Sequence, residues 1–319
     1  MRLAYWGSGP ISNFHVPALR RAGFEFRACY SRPESDRLQQ FAARWDIEAA
    51  RDADSFLDIA SDCDAIVVAL RTEAMPEAID MALGVGKPLL VEKPGAIRSS
   101  ELTRFESRAG DVPVMFAYNR RYYESTVAAK ELIANVPPTV SWLMWPDQIA
   151  TTHQFVINGC HIIDTLIFVY GHLSVNYVGV ARPVSGHSSG FVVGFSSDRG
   201  DCLTLTVNWG SPQTVEWAIS VPGLTMRFQT LESLMIYDRI EVLEPSAANP
   251  IRRYIPHESA RFSEDPGTGL KPGFERQAQA FREVVLTGEL QEGDCGLHQA
   301  RVVLELVEEI LSRVEHSSK

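Results

Sequence analysis

The chain has 319 residues, 45% hydrophobic and 22% charged, with 30 Lys and Arg against 40 Asp and Glu. At about 100–200 residues per domain that length points to two domains, and the ordinary apolar fraction excludes a mainly disordered chain. A net charge of −10 argues against nucleic acid or an anionic membrane as partner, because either needs clustered Lys and Arg.

The first 120 residues or so alternate short apolar strands with helical patterns. Leu3-Ala4-Tyr5-Trp6 leads into a helix over about 10–22, then Phe24 to Tyr30 reads as a strand and Pro33 to Arg44 as a helix. Ala65 to Leu70 is a continuous apolar run, the mark of a strand buried on both faces. A helix over about 75–84, the strand Pro88 to Val91, another helix and the strand Val114 to Phe116 follow. This grammar builds a doubly wound parallel sheet, an α/β Rossmann domain over residues 1–118.

After Asn119 the pattern changes. Helical segments near 123–134 and 153–170 flank a strand at Val140–Trp145. Leu203, Leu205, Val207 and Trp209 then alternate with Thr204, Thr206 and Asn208; Val215, Trp217 and Ile219 repeat the pattern, as do Met226 and Phe228. Period-2 alternation means one buried face, so residues 119–319 read as an α+β domain with a mostly antiparallel open sheet. The polar face, rich in Thr, Ser and Asn, is either solvated or a subunit interface. Helices near 274–286 and 298–314 close the chain, and the last of them is a candidate to pack back on the first domain.

Five cysteines, at 29, 63, 160, 202 and 295, show no CxxC and no metal-ligand spacing. Scattered thiols suit a reducing cytoplasm, and no metal site is expected. Gly7 follows too closely on Met1 for a signal-peptide core, and no uncharged apolar run reaches the ~20 residues of a membrane span.

Gly7-Ser8-Gly9-Pro10-Ile11-Ser12 lies between the first strand and the first helix. Glycines there allow a tight turn and close approach of the backbone to a pyrophosphate, which rests on the helix N-terminus. Gly7, Ser8, Gly9, Pro10 and Ile11 are therefore candidate cofactor residues, and Ser12 stands where a third glycine is usual. The second strand ends in Cys29-Tyr30-Ser31-Arg32 without an acid. A hydroxyl beside an arginine favours a 2′-phosphate, so Ser31 and Arg32 point to NADP over NAD. Strand C-termini bind ligands in such sheets, which adds Leu70, Glu92 and Lys93. A lysine at that edge can exchange a proton with a substrate hydroxyl or carbonyl.

The 153–170 helix is apolar nearly all round, with Gln154, Asn158, His161 and Thr165 at i, i+4, i+7 and i+11. That spacing predicts one narrow polar stripe, more like the lining of a wet pocket than a solvated face. Tyr118, Arg120 and Arg121 at the domain junction are candidates to grip a phosphate or carboxylate; the alternative is a structural salt bridge.

These residues resemble the Gfo/Idh/MocA family of glucose–fructose oxidoreductase and inositol dehydrogenase. The resemblance rests on Gly7-Ser8-Gly9 with His15-Val16-Pro17-Ala18-Leu19, on Gly86-Lys87-Pro88 before Glu92-Lys93-Pro94, on Tyr118-Asn119-Arg120-Arg121, and on Gly159-Cys160-His161-Ile162-Ile163-Asp164. It covers roughly the first 170 residues. It implies an NAD(P)-dependent oxidoreductase acting on a hydroxyl or ketone of a sugar, polyol or sugar nucleotide, and a homodimer or homotetramer joined through the C-terminal sheet. It makes Lys93 the proton relay, with a bond before Pro94 that is often cis in relatives. It makes His161 the partner of the reacting oxygen, and both His161 and Asn158, with Tyr118 and Arg120, substrate-side groups. The chain departs from the pattern at Ile157, where relatives often carry Asp, and at Arg71, Thr72 and Met75, which stand where a proline and a histidine are usual. The catalytic set is then Lys93 and His161 with Asn158 in support, and reduction with Lys93 as proton donor is at least as natural as oxidation. Two alternatives remain: a reductase of a non-sugar C=N or C=C group, and a non-catalytic nucleotide sensor.

Overall fold

A computed structural model of the chain describes residues 1–31, 36–147, 151–181 and 190–317. By compactness the chain forms two units. The first comprises residues 1–122, 152–164 and 266–308; the second comprises 123–151, 165–265 and 309–319. The single cut at 118/119 drawn from the sequence therefore differs from the compact units, because the chain re-enters the first unit twice.

The first unit is built on β1 (Arg2–Trp6), α1 (Ser12–Arg21), β2 (Glu25–Tyr30), α2 (Asp36–Trp45), α3 (Ala53–Ser61), β3 (Ala65–Val68), α4 (Met75–Leu83), β4 (Leu89–Val91), α5 (Ser99–Ala109) and β5 (Val114–Phe116). The strands are parallel, in the order β2-β1-β3-β4-β5. All of β3, β4 and β5 is buried, as their unbroken apolar sequences require. The order reverses between β1 and β3, and the crevice outside the ends of those strands is where such sheets take ligands. Helix α3 has no counterpart in the sequence expectations. Its start is a capping box in which Asp52 accepts from the Ser55 backbone N–H at 2.8 Å and Ser55 Oγ accepts from the Asp52 N–H at 3.0 Å. Phe56 anchors it against Trp6, with ring centroids 5.1 Å apart.

A late segment completes this core. Helix α9, as numbered along the whole chain, spans Phe274–Thr287 and inserts Phe274, Ala278, Phe281 and Val284 among Val16, Leu19, Phe24 and Leu90. Phe281 stacks on Phe24 at 5.7 Å and 23°. The outer strand β5 is met by the 295 segment, with the Phe116 N–H donating to the Cys295 carbonyl at 2.7 Å. Glu308, near the middle of the last helix α10 (Leu297–Ser317), accepts from the Ser99 N–H and hydroxyl at 2.9 and 2.7 Å at the start of α5.

The second unit carries α6 (Glu124–Ala134) and the strands β6 (Val140–Asp147), β7 (Leu173–Val180), β8 (Gly190–Ser197), β9 (Cys202–Trp209), β10 (Glu216–Val221), β11 (Leu224–Thr230), β12 (Ser233–Leu243) and β13 (Arg253–Ser263). They form one sheet in the order β13-β12-β11-β10-β6-β9-β8-β7, antiparallel except for the β6/β9 pair. The alternation read from the sequence holds in register: Leu143 lies beside Leu205 and Trp217, and Leu205 beside Val193, all buried. Trp217 stacks on Phe228 at 4.7 Å and donates its Nε1–H to Ser141 Oγ at 2.8 Å. The opposite face of β6 leaves Val140 67% and Trp142 43% exposed. Among the described residues no helix is long and apolar enough to cross a membrane.

Candidate active site

The Gly7 turn follows directly on β1. Gly7 has φ +152°, and a Cβ there would lie 2.3 Å from the Ala69 carbonyl oxygen just past β3. No side chain fits between β1 and β3 at that point, so the first glycine is a steric requirement of the crevice. Ser8, Gly9 and Ile11 are part-exposed and Pro10 is exposed along the following turn. Ser12 is fully buried, and its hydroxyl lies beside Tyr5, whose phenol is pushed up by burial. Ser31 and Leu70 are part-exposed at the ends of β2 and beyond β3. Arg32 lies outside the described residues. Burial raises the Tyr30 hydroxyl, and the carboxylates of Asp52 and Asp54 add to that shift from the start of α3.

Glu92 behaves differently from the expectation. It is 7% exposed, and its Oε1 lies 2.7 Å from His15 Nε2, itself 2% exposed. The pair ties the loop after β4 to α1, and the His15 ring packs on Phe274 at 4.8 Å. Glu92 thus braces the loop from inside. His15 entered the sequence reading only within a longer motif; a histidine and a glutamate 77 residues apart give no local signal that they meet.

The next residue, Lys93, is part-exposed, and the Lys93–Pro94 peptide bond is cis. Its Nζ donates to the Ile157 carbonyl at 2.9 Å. That acceptor comes from an irregularity in the helix that carries His161. A turn of α-helix at Thr152–Gln154 (α7) passes through a π turn at Phe155–Gly159 into α8 (Cys160–Tyr170). Within it the Cys160 N–H reaches back five residues to the Phe155 carbonyl. Such a turn shifts the hydrogen-bond ladder by one residue and opens a carbonyl to outside donors. Ile157 O takes Lys93 Nζ and also the Cys160 thiol at 3.1 Å. Burial pushes that thiol up to about 11, so it stays protonated and serves as a donor.

The π turn also corrects the stripe. Gln154, Ile157, Asn158 and His161 are part-exposed, whereas Thr165 is fully buried. The π turn offsets Gln154 and Asn158 from the register of the helix that follows, whereas Thr165 keeps its i+4 place after His161 and is buried one turn further along α8. His161 has its Nδ1 shielded from solvent, with the Tyr118 ring edge-on at 5.9 Å and 90°. Burial holds the imidazole well below its ordinary value, and the cations of Lys93, Arg120 and Lys271 lower it further. It is therefore neutral near pH 7. Tyr118 is fully buried, so its ring backs His161.

The two arginines separate. Arg121, 5% exposed, grips the fully buried Asp164 through Nε at 2.9 and 3.1 Å and Nη2 at 2.6 Å. The salt-bridge alternative holds for that residue. Burial pushes the Asp164 carboxyl up while Arg121 is held more firmly protonated. The arginine decides the charge state of the pair, because a guanidinium cannot shed its proton. Arg120 is part-exposed and contributes positive potential at His161.

Residues 1–119 match the family model described as an oxidoreductase family with an NAD-binding Rossmann fold, GFO_IDH_MocA. Over those residues the chain is similar to the NAD-binding domain of that oxidoreductase family. A search of curated proteins found no match. Among solved structures, the fold is shared over both units with an oxidoreductase from Agrobacterium radiobacter in complex with NAD+, L-tartaric acid and magnesium, at 14% identity and a TM-score of 0.78, over 99% of this chain and 96% of that one. It is shared with the UDP-N-acetylglucosamine 3-dehydrogenase of Acidithiobacillus ferrooxidans at 14% identity and 0.79, over 100% and 99%. A levoglucosan dehydrogenase in complex with NADH and L-sorbose aligns at 14% identity and 0.75, over 100% and 97%. The parallel sheet and the mostly antiparallel sheet are the two-domain fold that these solved structures share.

Proposed function

We propose that the protein is an NAD(P)-dependent oxidoreductase that interconverts a hydroxyl and a ketone on a sugar, polyol or sugar nucleotide. The supporting observation is the bond from Lys93 Nζ to Ile157 O, which joins a lysine at the open end of the parallel sheet to the helical turn bearing His161. The residues present fit a dinucleotide: Gly7 lines a cradle that any Cβ would fill. Gly7, Ser8, Gly9, Pro10 and Ile11 hold its phosphates, with Ser31 and Leu70 beside them, and it supplies or accepts the hydride when bound.

Lys93 moves the proton. An ammonium has more donors than the one spent on Ile157 O, so it can also meet a substrate oxygen. Its fixed partner is a neutral main-chain carbonyl, which takes up one N–H and leaves the others to reach the substrate oxygen during reduction. His161, neutral, hydrogen-bonds the same oxygen, and Asn158 on the adjoining turn orients the substrate with Arg120. Tyr118 keeps the imidazole in place. Support for a small polyhydroxylated substrate comes from the L-sorbose and L-tartaric acid held by two of the fold's relatives.

Lys93→Ala should lower kcat by about 10²–10⁴ with cofactor affinity nearly unchanged, read from NAD(P)H absorbance and from fluorescence titration of the cofactor. An active Lys93→Ala enzyme removes the assignment. The preference for NADP(H) rests on Ser31 and Arg32, with Asp52 and Asp54 acting against it from the edge of Tyr30; the ratio of the two dissociation constants decides. We further propose that copies assemble through the open sheet face bearing Val140 and Trp142, and that the protein works in a reducing cytoplasm. All five cysteines are unpaired and four are buried, which supports the compartment. Trp142→Glu should lower the mass measured by light scattering; an unchanged mass counts against the assembly.

A further inference from the structure

Lys93 is fixed at both ends. Its main chain follows Glu92, whose carboxylate lies 2.7 Å from the buried His15, and its Nζ donates to the Ile157 carbonyl at 2.9 Å. A lysine stem is four flexible carbons long, so the amine points where its acceptor stands. That acceptor is a main-chain atom, and the turn around it sets its place. The Cys160 N–H closes the π turn on the Phe155 carbonyl, and the Cys160 thiol reaches Ile157 O at 3.1 Å.

The two residues that bound this turn are fitted to each other. Phe155 is fully buried, and its ring lies against the bare Cα of Gly159. A Cβ at 159 would stand 2.3 and 2.5 Å from the ring carbons Cδ2 and Cε2 and 2.8 Å from Cγ. Non-bonded carbons sit about 3.5–4.0 Å apart, so ring and side chain cannot share that space. Gly159 is outside the left-handed region, and the glycine is required for room alone. The ring is wholly enclosed and cannot swing aside without displacing its neighbours. Glu92, Lys93 and the whole turn belong to the first compact unit.

We propose that Phe155 and Gly159 are positioning residues for Lys93: the ring seated on the bare Cα keeps the π turn in shape, and the turn presents the Ile157 carbonyl that aims Nζ. What the amine does there rests on the oxidoreductase reading; that the turn aims it does not. A side chain at 159 has to displace the ring or rewind the turn into an α-helical register, in which a carbonyl faces the N–H four residues on. Either change moves or withdraws the acceptor.

The test reads Lys93 directly in the full chain. Acetylation by acetic anhydride is followed by mass spectrometry relative to Lys87, which is part-exposed like Lys93 and precedes β4 where Lys93 follows it. Gly159→Ala should raise the relative acetylation of Lys93 roughly 10-fold, the equivalent of one lost hydrogen bond. Adding Phe155→Leu makes room for the methyl group, so the double variant should fall at least about 3-fold below Gly159→Ala. Val284→Ala opens a cavity in the core under the parallel sheet and should leave the ratio unchanged. Unchanged acetylation in Gly159→Ala overturns the proposal, as does an equal rise in Val284→Ala or a double variant no lower than Gly159→Ala. Should Gly159→Ala fail to fold, Phe155→Leu alone carries the test: loss of the seat should raise Lys93 acetylation at least about 3-fold, and no change overturns the proposal. Turnover of L-sorbose with NAD(P)H, or of D-glucitol with NAD(P)+, separates the aiming from the chemistry. Gly159→Ala should lower kcat by about 10–100-fold with KM nearly unchanged, as misplacement of a reacting group does. If acetylation responds as stated while kcat holds, the aiming stands and the reading of Lys93 as proton relay fails.

Discussion

Replacing Asp164 with Asn removes one charge from an ion pair that is almost wholly out of water. The side chains are 5% and 0% exposed, and the guanidinium makes contacts of 2.6, 2.9 and 3.1 Å to the carboxylate. At an effective dielectric of about 20, charges some 4 Å apart attract by about 4 kcal/mol. Loss of one member of a buried pair typically costs about 3–5 kcal/mol, because the other charge is left uncompensated. Asn retains one acceptor but no charge, so the lower part of that range applies, about 3 kcal/mol. For a cooperative unit of roughly 150–250 residues this lowers Tm by about 6–12 °C, measured by differential scanning calorimetry. Arg121→Met with Asp164→Leu should recover only part of the loss. Arg121 also donates Nη1 to the Gly293 and Asp294 carbonyls at 3.2 and 3.3 Å, and the double variant leaves both without that donor. A shift below about 2 °C for Asp164→Asn means that desolvation already cancels the attraction, and the reasoning fails.

Gly7→Ala forces a Cβ to within 2.3 Å of a backbone oxygen; cofactor affinity should fall at least about 10-fold with ~1–3 kcal/mol of strain in the fold, and retained affinity refutes the cradle. His161 has a folded-state value below its ordinary 6.5, so as pH falls through about 6.5 the unfolded chain takes up a proton that the folded chain refuses. Stability contributed there is present above that pH and lost below it. Urea titrations at pH 7.5 and 5.5 should show a smaller acid loss in His161→Asn than in the parent, and identical losses reject the buried neutral imidazole. Trp217→Phe keeps the stack on Phe228 but strands the Ser141 hydroxyl, 3% exposed. A cost of about 1–3 kcal/mol is expected in thermal melts.

Both sheets were legible because their signals are local. Ala65–Val68 and Leu89–Val91 are apolar without interruption, and Leu203 to Trp209 alternates strictly. The turn at Gly7 and the lysine after β4 were legible for the same reason. The parts that escaped depend on distance or geometry. Helix α3 was hidden because Ser55, not a Glu or Gln, completes its capping box. The π turn has no compositional mark in Phe155-Val-Ile-Asn-Gly159, yet it supplies the acceptor for Lys93. The brace between His15 and Glu92 and the commitment of Arg121 to Asp164 are long-range pairings that no periodicity encodes. Adjacent arginines with opposite environments look identical in a sequence.

The helix α9 that stacks Phe281 on Phe24 is synthesised long after the strands it covers. Residues 1–122 emerge from the ribosome with Val16, Leu19 and Phe24 lacking the wall formed by Phe274 and Phe281, and with β5 lacking its bond to Cys295. At about 5–20 residues per second, the stretch up to Glu308 takes on the order of ten to forty seconds more to appear. For that interval the nascent cofactor domain exposes an apolar flank and an open strand edge, the kind of surface that holding chaperones recognise. A fragment cut at residue 119, where the family similarity stops, would keep that flank permanently. Such a fragment should aggregate unless residues 266–308 are supplied with it.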